Sequence, residues 1–287
     1  MKLRHILLIL AAAVTLTVTG CGATSASRFE YSETKDGGIR IDRFKDNVKK
    51  IIVPETIEGK EVKEIGEYAF KNVDKAVKIT LPDSITTIEK GAFAGCIKLK
   101  SINLPERLTT VENALFFACG SLIEMEVPEG VESIGSMAFW GCYKLKSVSI
   151  PDGLKKIGSE AFRNCSALED ITLPLGLTKI EDFTFYECDH LSTVGIREGI
   201  TEIGERAFYG CNRLVKAVIS DTVTTIGKEA FKDCFSLSEV SIPESVVNIA
   251  DDAFSNCKAL QTVYVREGSY AESWAKDKEL YIVTPDQ

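Results

Sequence analysis

LPDSITTIEKGAFAGCIKLKSIN, residues 81–103, runs directly into a second Leu-Pro at Leu104-Pro105, and the same beat begins again. The spacing is strict. Cysteines stand at Cys96, Cys119, Cys142, Cys165, Cys188, Cys211, Cys234 and Cys257, each 23 residues after the last, with no insertion or deletion between them. A phenylalanine precedes every one by three residues, and Phe70 extends that column by one step, giving nine repeats that end with Phe254. A unit this short cannot bury its own apolar face and must stack on its neighbours, so a fixed period in the twenties predicts a solenoid.

Two further columns keep the period. One runs Ile65, Ile88, Val111, Ile134, Ile157, Ile180, Ile203, Ile226, Ile249; the other runs Leu99, Leu122, Leu145, Leu168, Leu191, Leu214, Leu237, Leu260. Leu99-x-x-Ile102-x-Leu104 ends in period-two alternation, which predicts a short strand with Ile102 and Leu104 facing inward and a parallel sheet when copies stack. Proline closes that strand at Pro82, Pro105, Pro128, Pro151, Pro174 and Pro243, where its missing donor does least harm.

The pattern resembles the BspA-like class of bacterial leucine-rich repeats, whose unit reads roughly Ile-x-x-x-Ala-Phe-x-x-Cys-x-x-Leu-x-x-Ile-x-Ile-Pro. The resemblance covers about residues 51 to 265, and Ile203, Ala207-Phe208, Cys211, Leu214 and Ile219 sit where the motif asks for them. Leu115 and Thr184 replace the usual alanine, and Arg197, Ser220 and Arg266 the proline. The resemblance implies a β-rich leucine-rich repeat solenoid and, in function, adhesion to proteins of a host or a neighbouring cell.

The ends read differently. Lys2, Arg4 and His5 precede an apolar run from Ile6 to Val18, about 13 residues, shorter than the ~20 a membrane-spanning helix needs. This is an export signal, residues 1–20. Val18-Thr19-Gly20-Cys21 is similar to a bacterial lipobox, which makes Cys21 the candidate lipidation site; simple secretion with an unpaired Cys21 thiol is the other reading. Residues 21–27 then read as the lipidated cysteine and a flexible tether of small residues. Phe29-x-Tyr31 and Ile39-x-Ile41 around Asp36-Gly37-Gly38 predict a β-hairpin within an N-terminal cap, residues 28–60. The repeats are assigned to residues 61–263. In the C-terminal cap, residues 264–287, Ser269 and Glu272 form a capping box that opens a short helix, Trp274 is placed to cover the last turn, and Leu280 to Val283 add a strand.

Composition narrows function. The chain carries a formal charge of −8, and removing residues 1–20 takes away Lys2 and Arg4 and no acid. An acidic body without basic clusters is not a nucleic-acid binder. Membrane contact is expected only through the lipid on Cys21. An even count of ladder cysteines in an exported protein raises the question of four disulfides. Members of one solenoid column point inward in parallel, however, whereas a disulfide needs converging side chains, so buried thiols are the favoured reading. A 23-residue pitch supplies no paired metal ligands, and after export His190 is the lone histidine. It sits in a variable slot beside Asp189, as Asp251-Asp252 and Glu181-Asp182 do, and these read as solvated turns rather than catalytic groups. No phosphate loop is present, and no enzyme, cofactor or metal site is expected.

The informative column is the one that breaks the repeat. Directly after each phenylalanine stand Lys71, Ala94, Phe117, Trp140, Arg163, Tyr186, Tyr209, Lys232 and Ser255. Successive turns place them about 5 Å apart, a candidate binding stripe of Phe117, Trp140, Arg163, Tyr186 and Tyr209, with Tyr143 three residues further along its own repeat. Tyr, Trp and Arg dominate binding hot spots, and Trp140 is the strongest single candidate. The same rings also read as padding between turns. Thr80, Asn103, Glu126, Ser149, Thr172, Gly195, Val218, Ser241 and Tyr264 on the strand face are the second candidate surface. The expectation is a monomeric, lipid-anchored, non-catalytic protein of the bacterial cell envelope, facing outside the cytoplasm and binding a macromolecule, protein before glycan. A structural envelope spacer remains an alternative.

Overall fold

Each 23-residue repeat makes one turn of a coil and lays down two short strands, not the single strand expected. In the computed structural model, which describes residues 22–284, the repeat at 81–103 contributes Thr87–Ile88 to one parallel ladder and Ser101–Ile102 to another. Thr87 and Ile88 face Glu64 and Ile65 of the preceding turn. Ser101 and Ile102 face Lys78 and Ile79. The isoleucine column therefore lies in a ladder of its own. Neither ladder is continuous: the first falls into three segments and the second into four, with an isolated bridge from Gly195 to Val218 between two of them.

On the third side, between isoleucine and leucine columns, the chain forms turns rather than strands, yet it hydrogen-bonds along the axis at every step. The Phe70 N–H donates to Ala92 O at 2.8 Å, Phe116 to Ala138 at 2.8 Å and Phe162 to Thr184 at 3.0 Å. From Phe70 to Phe231 the residues two before and two after the phenylalanine are left-handed, whether Gly91 and Gly95 or Glu160 and Asn164 (φ 61° and 59°). Each non-glycine there costs on the order of 1 kcal/mol, which the inter-turn hydrogen bonds it sets up must offset.

The core is one column per repeat. From Phe44 through Phe70 and every repeat phenylalanine to Phe254, ring centroids follow one another at 5.0–5.6 Å, and Trp274 closes the stack 5.2 Å from Phe254. The cysteines are free. Each thiol donates to the carbonyl of the phenylalanine 26 residues earlier: Cys96 to Phe70, Cys165 to Phe139 and Cys257 to Phe231, at 3.2, 3.2 and 3.0 Å. Every thiol in the column is thus directed to a carbonyl of the neighbouring turn. Burial pushes the thiols from Cys96 to Cys234 up, Cys96 to about 12.

Glycine has a packing duty beside the first ladder, as at Gly135 and Gly158. A Cβ on Gly158 would stand 2.5 Å from the backbone nitrogen of Ser136 in the preceding turn. Gly158→Ala is expected to force two turns apart and lower stability by about 1–3 kcal/mol, read as an earlier urea midpoint. An unchanged midpoint would show that the turns can give way there.

Both caps continue the coil, so the nine expected repeats lie within about 11 turns. At the N-terminus β1 (Phe29–Glu33) and β2 (Ile39–Phe44) form the expected antiparallel hairpin. β2 then starts the first ladder by pairing in parallel with Val62 and Ile65, while β3 (Lys50–Ile52) starts the second by pairing with Lys78–Thr80. A second hairpin joins β4 (Thr56–Ile57) to β5 (Lys60–Ile65) through Glu58 and Gly59, both at positive φ, the geometry of a tight primed turn. At the other end Ser269 caps α1 (Tyr270–Asp277), its hydroxyl accepting from the Glu272 N–H at 3.1 Å. The Glu272 carboxylate reaches back to the Gly268 N–H at 2.9 Å. Tyr281–Val283 then adds a strand to the second ladder beside Thr262–Tyr264.

The export segment and Cys21 lie outside the described residues. The small residues after Cys21 differ from the flexible tether expected of them. The Thr24 N–H donates to Ile52 O at 2.9 Å and the Ile52 N–H to the Thr24 hydroxyl at 3.0 Å, so the chain lies on the open edge of β3. Ala26–Arg28 forms a single 3-10 turn, tied down by Arg28 to Asp46 at 2.7 Å.

Candidate functional site

The left-handed residue after each phenylalanine returns the chain toward the core and leaves the intervening side chain on the outside of the turn. Because every turn repeats this, the side chains at 117, 140, 163, 186 and 209 stack along the axis. Phe117 meets Trp140 edge-on at 4.5 Å. The Arg163 guanidinium lies 5.5 Å from the Trp140 ring centre and 4.5 Å from that of Tyr186. Tyr186 and Tyr209 are stacked at 4.7 Å, within 7° of parallel. Lys232 closes the row 6.0 Å from Tyr209. All five stripe residues are half-buried.

A neighbouring column, missed in the sequence, buttresses this row. The residue three before each stripe position folds back beside it, bringing Glu160, Phe183, Arg206 and Glu229 into the same surface. Arg163 Nη1 donates to Glu160 at 2.9 Å, and its guanidinium also lies 5.6 Å from the Phe183 ring. Arg206 faces Phe183 from the other side, also at 5.6 Å, and pairs with Glu229. Glu229 accepts from Lys232 at 2.6 Å, and those two cations hold its carboxyl below the ordinary range, Lys232 first. Reading the column two before the phenylalanines at the same period would have found these residues.

Electrostatics act on the phenols too. Burial raises the Tyr186 hydroxyl, with Arg163 and Arg206 opposing. The Asp233 carboxylate beside it, then burial, pushes Tyr209 up to about 12. Both stay protonated donors at neutral pH. Arg163 Nε is buried without a partner, a donor spent on holding the guanidinium between rings rather than on a hydrogen bond.

The structure does not bring Tyr143 into the row. Its side chain is 55% exposed and lies over Gly120 of the preceding turn, and among the described residues it forms no ring pair. The strand face is organised by hydrogen bonds rather than rings. The Asn103 amide accepts from the Leu81 N–H at 2.8 Å and donates to Leu81 O at 2.9 Å, joining two turns where the ladder is about to break. His190 is half-buried in its turn, and among the described residues no three His, Cys, Asp or Glu side chains are grouped to hold a metal ion.

Sequence and structure comparisons agree with this architecture. The family model described as BspA type leucine rich repeat region (6 copies) matches residues 43–169 and 135–261. The crystal structure of the T. pallidum leucine rich repeat protein TpLRR is 34% identical, with a TM-score of 0.62, over 67% of this chain and 90% of that one. A leucine-rich repeat protein from Bacteroides ovatus is 26% identical with a TM-score of 0.67, over 84% of this chain and 70% of that one. No curated protein matches the chain. Period, columns and family match coincide over the same residues, and the chain belongs to the BspA-type leucine-rich repeat family.

Proposed function

We propose that this protein is exported, lipid-anchored at Cys21 on the bacterial cell envelope, and binds a protein partner without catalysis, through the stripe from Phe117 to Tyr209. One observation carries the reading: the row is unbroken, and at its centre the ring faces are already occupied. Tyr186 has Arg163 on one side and Tyr209 stacked on the other. Sugar recognition by stacking needs a free ring face. What these rings present outward is edges, hydroxyls and a fixed guanidinium, the rigid amphipathic surface that suits a protein hot spot. Preorganisation also lowers the entropy cost of binding. Membership of a repeat family that builds extended stacked surfaces supports the same reading.

The test is a binding screen of the mature chain against immobilised proteins and a glycan array, with Trp140→Ala/Tyr186→Ala alongside. Protein binding that weakens by roughly 30-fold or more in a still-folded variant is expected, the effect of losing about 2 kcal/mol at a hot spot. Hits confined to glycans, or protein binding indifferent to the double variant, would move the site to the strand face or end the proposal.

A further inference from the structure

We infer that a lysine patch at the N-terminal end of the second ladder docks the solenoid on anionic phospholipid headgroups, fixing its orientation on the membrane; this rests on the lipid-anchor reading of Cys21.

The patch stands out as a group of lysines on a chain whose formal charge is −8. Lys49, Lys50, Lys75, Lys78, Lys98 and Lys100 are all exposed. Among the described residues none of them takes part in an ion pair. Most other cations near the N-terminus do: Arg28 with Asp46, Lys60 with Glu33, Lys63 with Asp36 and Lys90 with Glu67. Backbone contacts hold the six together. Lys50 faces Lys78 across the ladder. The Lys49 carbonyl accepts from Val77 at 2.7 Å and from Lys78 at 3.1 Å, and the Lys100 N–H donates to Val77 O at 2.9 Å. The repeat carries Lys98 one period after Lys75. Of the nearby acids, Asp46 is paired with Arg28 and Asp74 accepts from the Asn47 amide, while Glu106, Glu124 and Glu126 share a groove with Lys78 at the far edge of the patch.

The tether sets where this patch lies. Thr24 is hydrogen-bonded to Ile52 on the outer edge of β3, in the strand that carries Lys50. Thr24 is three residue steps from Cys21, which at full extension reach about 10 Å. A lipid on Cys21 therefore brings the start of the second ladder to the membrane. From β3 to Ser101–Ile102 is two strand spacings, about 10 Å, comparable to the ~8 Å screening length at physiological salt. With the lipid supplying the attachment, a polybasic patch adds roughly 1 kcal/mol per lysine near an anionic surface and fixes which side of the coil faces it. On this reading the membrane is touched by the lysines as well as by the lipid. The aromatic stripe, on a different side of the coil, stays free for its partner.

The mature chain carrying Cys21→Ser isolates the patch from the lipid. It is floated with phosphatidylglycerol/phosphatidylcholine vesicles and with pure phosphatidylcholine vesicles at 20 mM salt. Binding at least tenfold stronger to the anionic vesicles is expected, abolished by 0.5 M NaCl and by Lys49→Glu/Lys50→Glu/Lys78→Glu with an unchanged melting curve. Equal binding to both vesicles, no binding to the anionic ones, or binding retained by the folded triple variant overturns the proposal. Soluble polyphosphate binding the chain without any vesicle preference would overturn it too, reassigning the lysines to a soluble polyanion. The anchor is tested separately, by the intact mass of the mature wild-type protein. A chain without lipid that still floats with anionic vesicles removes the anchor and keeps the patch.

Discussion

Between about pH 9 and 10.5 the protein is expected to unfold steeply and, with a reductant present, reversibly. Seven thiols, Cys96 through Cys234, are raised above an ordinary value of 9.0 by burial in the core. A folded-state pKa above the unfolded one means that the unfolded chain loses protons first as pH rises. The stability these thiols contribute is therefore complete below pH 9 and drains away above it. Each costs roughly 1.4 kcal/mol per pH unit once the unfolded thiol is deprotonated. In the unfolded chain thiols spaced 23 residues apart titrate almost independently, so seven of them amount to roughly 10 kcal/mol by pH 10, of the order of a whole domain's stability. Circular dichroism against pH, with urea unfolding at pH 8, 9 and 9.5, measures the slope. Cys142→Ala/Cys165→Ala should reduce that slope by about two-sevenths whatever it does to the midpoint, because it removes two of the seven titrating groups. A slope that ignores the number of cysteines, or stability that stays flat to pH 10, defeats the idea.

That much was legible in the cysteine column, since a strict period forces every member into one environment. Phe70 to Phe254 and Leu99 to Leu260 were legible for the same reason. The first ladder was not. Thr87–Ile88 is two residues long, and its inward partner Ile85 lies three residues before Ile88, a spacing that shows no period-two alternation. The left-handed positions were hidden because Met137, Phe183 and Arg206 hold them as readily as Gly91 does, and only hydrogen bonding along the axis reveals why. The stripe itself was readable as a column. Its buttress was not, because Phe183 and Arg206 become neighbours of Arg163 only once the turn folds back. Tyr143 was placed too near by counting residues along a turn whose direction had already changed. Thr24 carries no periodic signal, and its seat on β3 depends on an edge that the sequence does not announce.

Phe162→Ala is expected to cost about 3–5 kcal/mol, while deleting all of residues 81–103 leaves a cooperatively folding protein. Phe162 is fully buried, with Phe139 at 5.3 Å on one face and Phe185 at 5.6 Å on the other, both nearly parallel to it. The flanking turns cannot close on the hole. They are spaced by the Phe139 N–H donating to Ala161 O at 2.8 Å and the Phe162 N–H donating to Thr184 O at 3.0 Å. The deletion leaves no hole. It joins Thr80 to Leu104, sets Phe70 beside Phe116, gives the Cys119 thiol the Phe70 carbonyl in place of Phe93, and removes Asn103 together with the Leu81 backbone it holds. One repeat and one interface are subtracted from an otherwise intact series. Urea unfolding of the two variants decides it: a large shift for Phe162→Ala and a single transition for the deletion are expected, and the reverse order would place the stability within repeats. One ring outweighs 23 residues because stability here resides between turns, and a substitution breaks that register where a whole-period deletion restores it.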